Sequence, residues 1–126
     1  MRHVLILEDM YLFQQYLRDI ATLAGASSIA LVETQPQAIA AASSHRPALI
    51  VSDMNLAEGS GAQAVCAILA AHGPIPILYV TGHPERCKLH APSDKVLVKP
   101  VAADVLLRAI KSFLDRPKAP RAALAV

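Results

Sequence analysis

Five short apolar runs divide this chain, and their brevity constrains its fold more than any other feature. Val4–Leu7, Leu49–Val51, Ile75–Val80 and Val96–Val98 stand out, with a weaker run at Ile29–Val32. They are too short for helices and rich in Val, Ile and Leu. Apolar throughout, they suit strands covered on both faces. Helical patterns fill the intervals. Over 11–24, Leu12, Phe13, Tyr16, Leu17, Ile20 and Leu23 recur three or four residues apart, and Gly25 marks the end. Thr34 with Gln37 resembles a capping box opening an Ala-rich helix to about Ser44, and Ser60 with Gln63 repeats that signal before Ala62–Ala71. Within 101–114, Val105, Leu106, Ala109, Ile110, Phe113 and Leu114 form one apolar stripe. This alternation predicts an α/β, doubly wound parallel sheet with right-handed crossovers.

Composition agrees and excludes several classes. The chain has 126 residues, the size of one domain, and 54% of them are hydrophobic, enough to fill a core. A net charge of +2 gives no argument for nucleic acid or an anionic membrane surface. Residues 59–82 lack Asp, Glu, Lys and Arg, but His72, Gly73, Pro74 and Pro76 interrupt that run, so no membrane span is expected. Glu8-Asp9 ends the N-terminal apolar run too soon for a signal peptide, and the cytoplasm is the expected compartment. Cys66 falls on the apolar pattern of the third helix and is expected in the core; Cys87 is expected to be a free thiol. The five histidines are scattered without ligand spacing.

In a doubly wound sheet the site lies beyond the carboxyl ends of the strands. There the chain carries Glu8 and Asp9 after the first strand and Asp53 after the third. Thr81 follows the fourth and Lys99-Pro100 the fifth. Each has an ordinary reading alone: a solvated strand end, a turn residue, a loop start. Together they place three acids, a hydroxyl and an amine on one edge. Adjacent acids such as Glu8-Asp9 repel, and each loses hydration if recessed, so such a pair sits in solvent or serves a cation.

This set, in this order, resembles the receiver domain of bacterial two-component response regulators over about residues 2–115. Asp53-Met-Asn-Leu-Ala-Glu-Gly-Ser-Gly61 also resembles the loop that follows the family's phosphorylated aspartate. The resemblance implies a flavodoxin-like fold with five parallel strands in the order 2-1-3-4-5. It makes 1–115 the receiver and 116–126 a flexible tail. It implies phosphoryl transfer from a histidine kinase or histidine phosphotransfer protein onto Asp53, in a phosphoacceptor rather than an enzyme. Mg²⁺ is the expected cofactor, drawing oxygen from Asp9, Asp53 and the Asn55 backbone carbonyl, with Glu8 acting through water. Lys99 is suited to contact one phosphoryl oxygen and Thr81 to donate to another, while Gly82 keeps the approach open. The resemblance makes Lys99-Pro100 a cis peptide.

Some residues depart from the usual pattern. Val96 stands where receivers carry Tyr or Phe, three residues before the lysine, so the usual switch ring is missing. Tyr79 is an aromatic two residues before Thr81, expected to be buried. Ala57 replaces the common proline. Residues 83–95 hold two prolines and little periodicity, so the fourth helix is expected to be short, irregular or mobile. Tyr79-Val-Thr-Gly-His-Pro-Glu-Arg86 is similar to receivers with a Thr-Gly or Thr-Ala turn and no switch aromatic. These include stand-alone receivers and those of general-stress anti-sigma regulators in alphaproteobacteria. With about a dozen residues after the last helix, the simplest expectation is a single-domain regulator that signals to a downstream protein by contact. A phosphorelay shuttle or phosphate sink, and a pseudo-receiver scaffold that is never phosphorylated, are the alternatives. An acyl-phosphate hydrolase is disfavoured because Asn55 occupies the place of its second acid.

Overall fold

A computed structural model describes residues 2–116. The expected elements form in the expected order. They are β1 (His3–Leu7), α1 (Tyr11–Leu23), β2 (Ser28–Val32), α2 (Gln35–Ser44), β3 (Leu49–Ser52), α3 (Gly61–His72), β4 (Ile77–Thr81), a single 3₁₀ turn (Pro84–Arg86), β5 (Lys95–Val98) and α4 (Ala103–Leu114). The strands are parallel in the order β2-β1-β3-β4-β5. The tail expected at 116–126 lies outside the described residues except for Arg116.

Strand alternation sends successive side chains to opposite faces, and both faces are covered. On one, Val4, Ile6, Val51, Leu78 and Val80 pack with Leu17 and Ile20 of α1 and Leu106 and Ile110 of α4. On the other, Leu5, Leu7, Ile50, Ile77 and Tyr79 pack with Ala38 and Ala42 of α2 and Ala64, Val65 and Ile68 of α3. The central strands β1, β3 and β4 are buried throughout, as their unbroken apolar runs require.

Local chemistry sets the boundaries. β4 begins at Ile77, two residues later than the apolar run suggested; Pro76 has no N–H for a ladder. Ile75 is buried nonetheless. Both predicted N-caps form, with Thr34 Oγ1 accepting from Gln37 N at 3.2 Å and Ser60 Oγ from Gln63 N at 3.1 Å. Neither is a reciprocal box. Gln37 Oε1 instead accepts from Glu33 N, and Ser60 N donates to Gln35 Oε1. One expectation is corrected: Cys66 is exposed, because α3 turns Ala64, Val65 and Ile68 to the core and leaves position 66 outward.

The interval between β4 and β5 holds no α-helix. After the 3₁₀ turn the chain runs irregularly to Asp94, which is buried and substitutes for helical packing. Its Oδ1 accepts from Ile77 N at 3.0 Å, and its Oδ2 from His90 N and Ala91 N at 2.9 and 3.0 Å. Val96, at the position without the switch ring, is the ladder neighbour of Tyr79. The aromatic bulk sits one strand inward, on β4, where Tyr79 is fully buried and burial pushes its hydroxyl pKa up.

Candidate functional site

The sheet delivers the acids by extending its ladders past the strand ends. Glu8 N donates to Val32 O, Asp53 N to Leu7 O, and Lys99 N to Thr81 O, at 3.0, 3.0 and 2.9 Å. With Leu7 paired to Ser52, Glu8 and Asp53 emerge level on neighbouring strands. Thr81 is paired to Val98, so Lys99 emerges one residue beyond the end of β4. The Lys99–Pro100 peptide is cis.

There Lys99 Nζ bridges two carboxylates, at 2.9 Å from Glu8 Oε1 and 3.0 Å from Asp53 Oδ2. The other oxygens are held by backbone: Met10 N donates to Glu8 Oε2 at 3.2 Å, and Met54 N to Asp53 Oδ1 at 2.6 Å. Gln14 reaches back from α1 to donate to the Glu8 carbonyl at 3.0 Å. Glu8 is fully buried, Asp53 nearly so, and Asp9 more open. Burial pushes the Glu8 carboxyl pKa up; Lys99 and the Met10 N–H recover only part of that. For Lys99 burial favours the neutral amine, but hydrogen bonds and charge from Glu8 and Asp53 outweigh it and hold the pKa above its usual value.

One ligand oxygen from each of Glu8, Asp9 and Asp53 lies within 4.8 Å of the others. Three carboxylates against one ammonium leave an excess of negative charge in a recess. Oxygen-only donors at this spacing fit a hard divalent cation such as Mg²⁺.

Thr81 lies at the end of β4, beside the strand that carries Asp53, and is fully buried. Its Oγ1 accepts from His83 N at 3.0 Å, which leaves its own hydrogen for another partner. Asn55 is exposed two residues past Asp53, and its side-chain oxygen accepts from Arg86 Nη1 at 3.3 Å. A Cβ at Gly82 would meet no atom within 4 Å; one at Gly61 would come within 1.8 Å of the Asp53 carbonyl oxygen. Gly61 thus lets the start of α3 lie against the Asp53 backbone, where Gly61 N donates to Met54 O at 2.9 Å.

Gln14, Arg86 and Asp94 escaped the sequence reading. Gln14 had a visible signal, a polar residue inside the apolar face of α1. Asp94 and Arg86 had none, because residues 83–95 carry no periodicity that would orient a side chain.

Residues 4–111 match the response regulator receiver domain family. The chain belongs to that family. It is 36% identical over 85 residues to the phyllosphere-induced regulator PhyR of Methylorubrum extorquens, covering 66% of this chain and 32% of that protein. It thus spans about a third of the length of that relative. The receiver domain of the PhyR response regulator from Erythrobacter litoralis superposes with TM-score 0.78 at 28% identity, over 94% of each chain. A variant of the anti-anti-sigma factor PhyR from Bartonella quintana superposes with TM-score 0.72 at 29% identity, over 89% of this chain and 48% of that one. The expected likeness to receivers of anti-sigma regulators is thus matched by one relative described as an anti-anti-sigma factor. No helix among the described residues is long and apolar enough to cross a membrane.

Proposed function

We propose that this receiver accepts a phosphoryl group on Asp53 from the phosphohistidine of a kinase or phosphotransfer protein. An Asp53 carboxylate oxygen attacks phosphorus, an O–P bond forms as the N–P bond breaks, and the electron pair leaves with the imidazole nitrogen, which takes up a proton. Such a transfer is mostly positioning and charge stabilisation, so few groups are needed. Lys99 moves from Asp53 toward a phosphoryl oxygen, and Thr81 donates its free O–H to another. Asp9, Asp53 and the Asn55 carbonyl would hold Mg²⁺ directly and Glu8 through water. The cation would offset the charge of the meeting anions. The observation that carries this reading is the bridge from Lys99 to both Glu8 and Asp53, within a set of three acids spaced for one cation.

The output surface we assign to the 83–94 segment, β5 and α4. Turning the Asp53 carboxylate into an acyl phosphate takes the charge beside Asn55 from about −1 to about −2. Arg86, bonded to Asn55, is the cation on the irregular segment placed to respond. This coupling needs no aromatic at position 96. Likeness to PhyR favours a downstream protein that controls a sigma factor over a phosphate sink or a silent scaffold. The free thiols Cys66 and Cys87 fit a reducing cytoplasm.

Incubation with acetyl phosphate and Mg²⁺, followed by intact mass measurement, tests the reading. Wild type gains one phosphoryl group, does not gain it when the metal is chelated beforehand, and Asp53→Asn gains none. An unchanged wild-type mass, or an equal gain in the variant, overturns it.

A further inference from the structure

Lys99 has a third neighbour that the acid set does not explain. Its Nζ lies 4.3 Å from the centroid of the Phe13 ring. An ammonium has three N–H bonds, and two of them go to Glu8 and Asp53. The ring covers the remaining side. Phe13 is half-buried, packs against the α1–α4 core, and meets Tyr16 in a tilted pair with centroids 5.6 Å apart. The next residue, Gln14, holds the Glu8 carbonyl. The first turn of α1 therefore grips both ends of the Glu8–Lys99 pair.

We propose that Phe13 is a positioning residue for phosphoryl transfer, its ring face holding the Lys99 ammonium in the plane where it passes from carboxylate to phosphoryl oxygen. This rests on the phosphoacceptor reading above. A lysine stem is flexible, and fixing its head costs rotamer entropy. A hydrogen bond fixes the head on one acid. A ring face attracts it without direction, so it can slide between oxygens and stay in place. Small misplacement of a group that stabilises charge slows such reactions steeply. The bland alternative makes Phe13 core filler, in which case any side chain of similar bulk serves.

Three full-length proteins separate these: wild type, Phe13→Leu and Phe13→Tyr. Leu keeps most of the apolar volume and loses the ring face, whereas Tyr keeps both. At saturating Mg²⁺ and acetyl phosphate, Phe13→Leu is expected to phosphorylate about five- to tenfold more slowly, as loss of a partly desolvated cation–π contact implies. Phe13→Tyr is expected within about twofold of wild type. In NMR spectra of the unphosphorylated protein, the Lys99 side-chain methylenes are expected upfield through the ring current, in wild type and Phe13→Tyr but not in Phe13→Leu. Equal rates in wild type and Phe13→Leu, equal losses in Leu and Tyr, or unshifted Lys99 methylenes in wild type would each overturn the proposal. Shifted methylenes in a wild type that takes no phosphoryl group would overturn the phosphoacceptor reading instead, and the role of Phe13 with it.

Discussion

The loop after β3 and the segment after β4 leave the same edge of the sheet and are built in opposite ways. The first runs from Asp53 to a helix that Ser60 caps and Gly61 packs against the Asp53 backbone. The second has one 3₁₀ turn, two prolines and mostly exposed residues, and the carboxylate of Asp94 ties its far end down. The contrast matches the two tasks proposed for these segments. A group that must meet phosphorus in one orientation needs a backbone with no freedom. A segment that must change state on a charge signal needs few packed contacts to break.

Damage to the rigid loop should cost most. Gly61→Ala puts a methyl group against the Asp53 carbonyl, where backbone meets backbone and neither can yield. We expect a loss of about 3 kcal/mol in urea unfolding. Gly82→Ala, facing open space, should stay within about 0.5 kcal/mol of wild type. Equal effects at the two glycines would erase the claimed difference between the loops.

The softer segment should break at its buried tether, Asp94. Asp94→Ala strips the acceptor from three backbone N–H groups, and we expect a loss of about 2 kcal/mol. Amide exchange should quicken at His90 and Ala91 and leave Met54 unchanged. Faster exchange at Met54 as well would mean that the two loops form one unit.

Lys99 ties the rigid loop, through Asp53, to Glu8 at the end of β1. Lys99→Met leaves Glu8 fully buried without its cation, and without divalent metal we expect about 2 kcal/mol of destabilisation. Added Mg²⁺ should restore more stability to the variant than it adds to wild type, since it takes over the ammonium's electrostatic role. Equal stabilisation by Mg²⁺ in both proteins would count against that exchange.

The opposite end of the sheet supplies the smallest effect and a reference. His3 is buried, shares a hydrogen bond with Ser28 Oγ at 2.7 Å and stacks on His45 at 3.7 Å. Burial, and then the neighbouring His45, hold its pKa below the usual 6.5. The unfolded chain therefore binds a proton before the native one does. Stability from this site is complete above pH 6.5 and declines as pH falls toward the native pKa. A denaturant midpoint followed on acidification should show that fall in wild type, reduced in His3→Gln. A fall of equal size in both proteins would assign it elsewhere.

The sequence showed most of the frame because strands buried on both faces must be apolar throughout, and Val4–Leu7 and Leu49–Val51 are. It showed Glu8, Asp9, Asp53 and Lys99 because parallel topology gathers strand ends whatever the helices do. Asp94 stayed hidden because its partners are backbone N–H groups, which leave no mark in a sequence. Phe13 fitted the apolar stripe of α1 so well that nothing singled it out. Cys66 misled because a helix as Ala-rich as α3 has weak amphipathic contrast, so its apolar pattern does not fix which face is inward.

The central claim is that Asp9 and Asp53 share one divalent ion. Titration with Mn²⁺, watched by NMR relaxation, tests it most directly. The account predicts saturable broadening centred on Asp9, Asp53 and Asn55, displaced by Mg²⁺ and weakened at least about tenfold in Asp9→Asn. Broadening that is diffuse, does not saturate, or survives Asp9→Asn unchanged would contradict it.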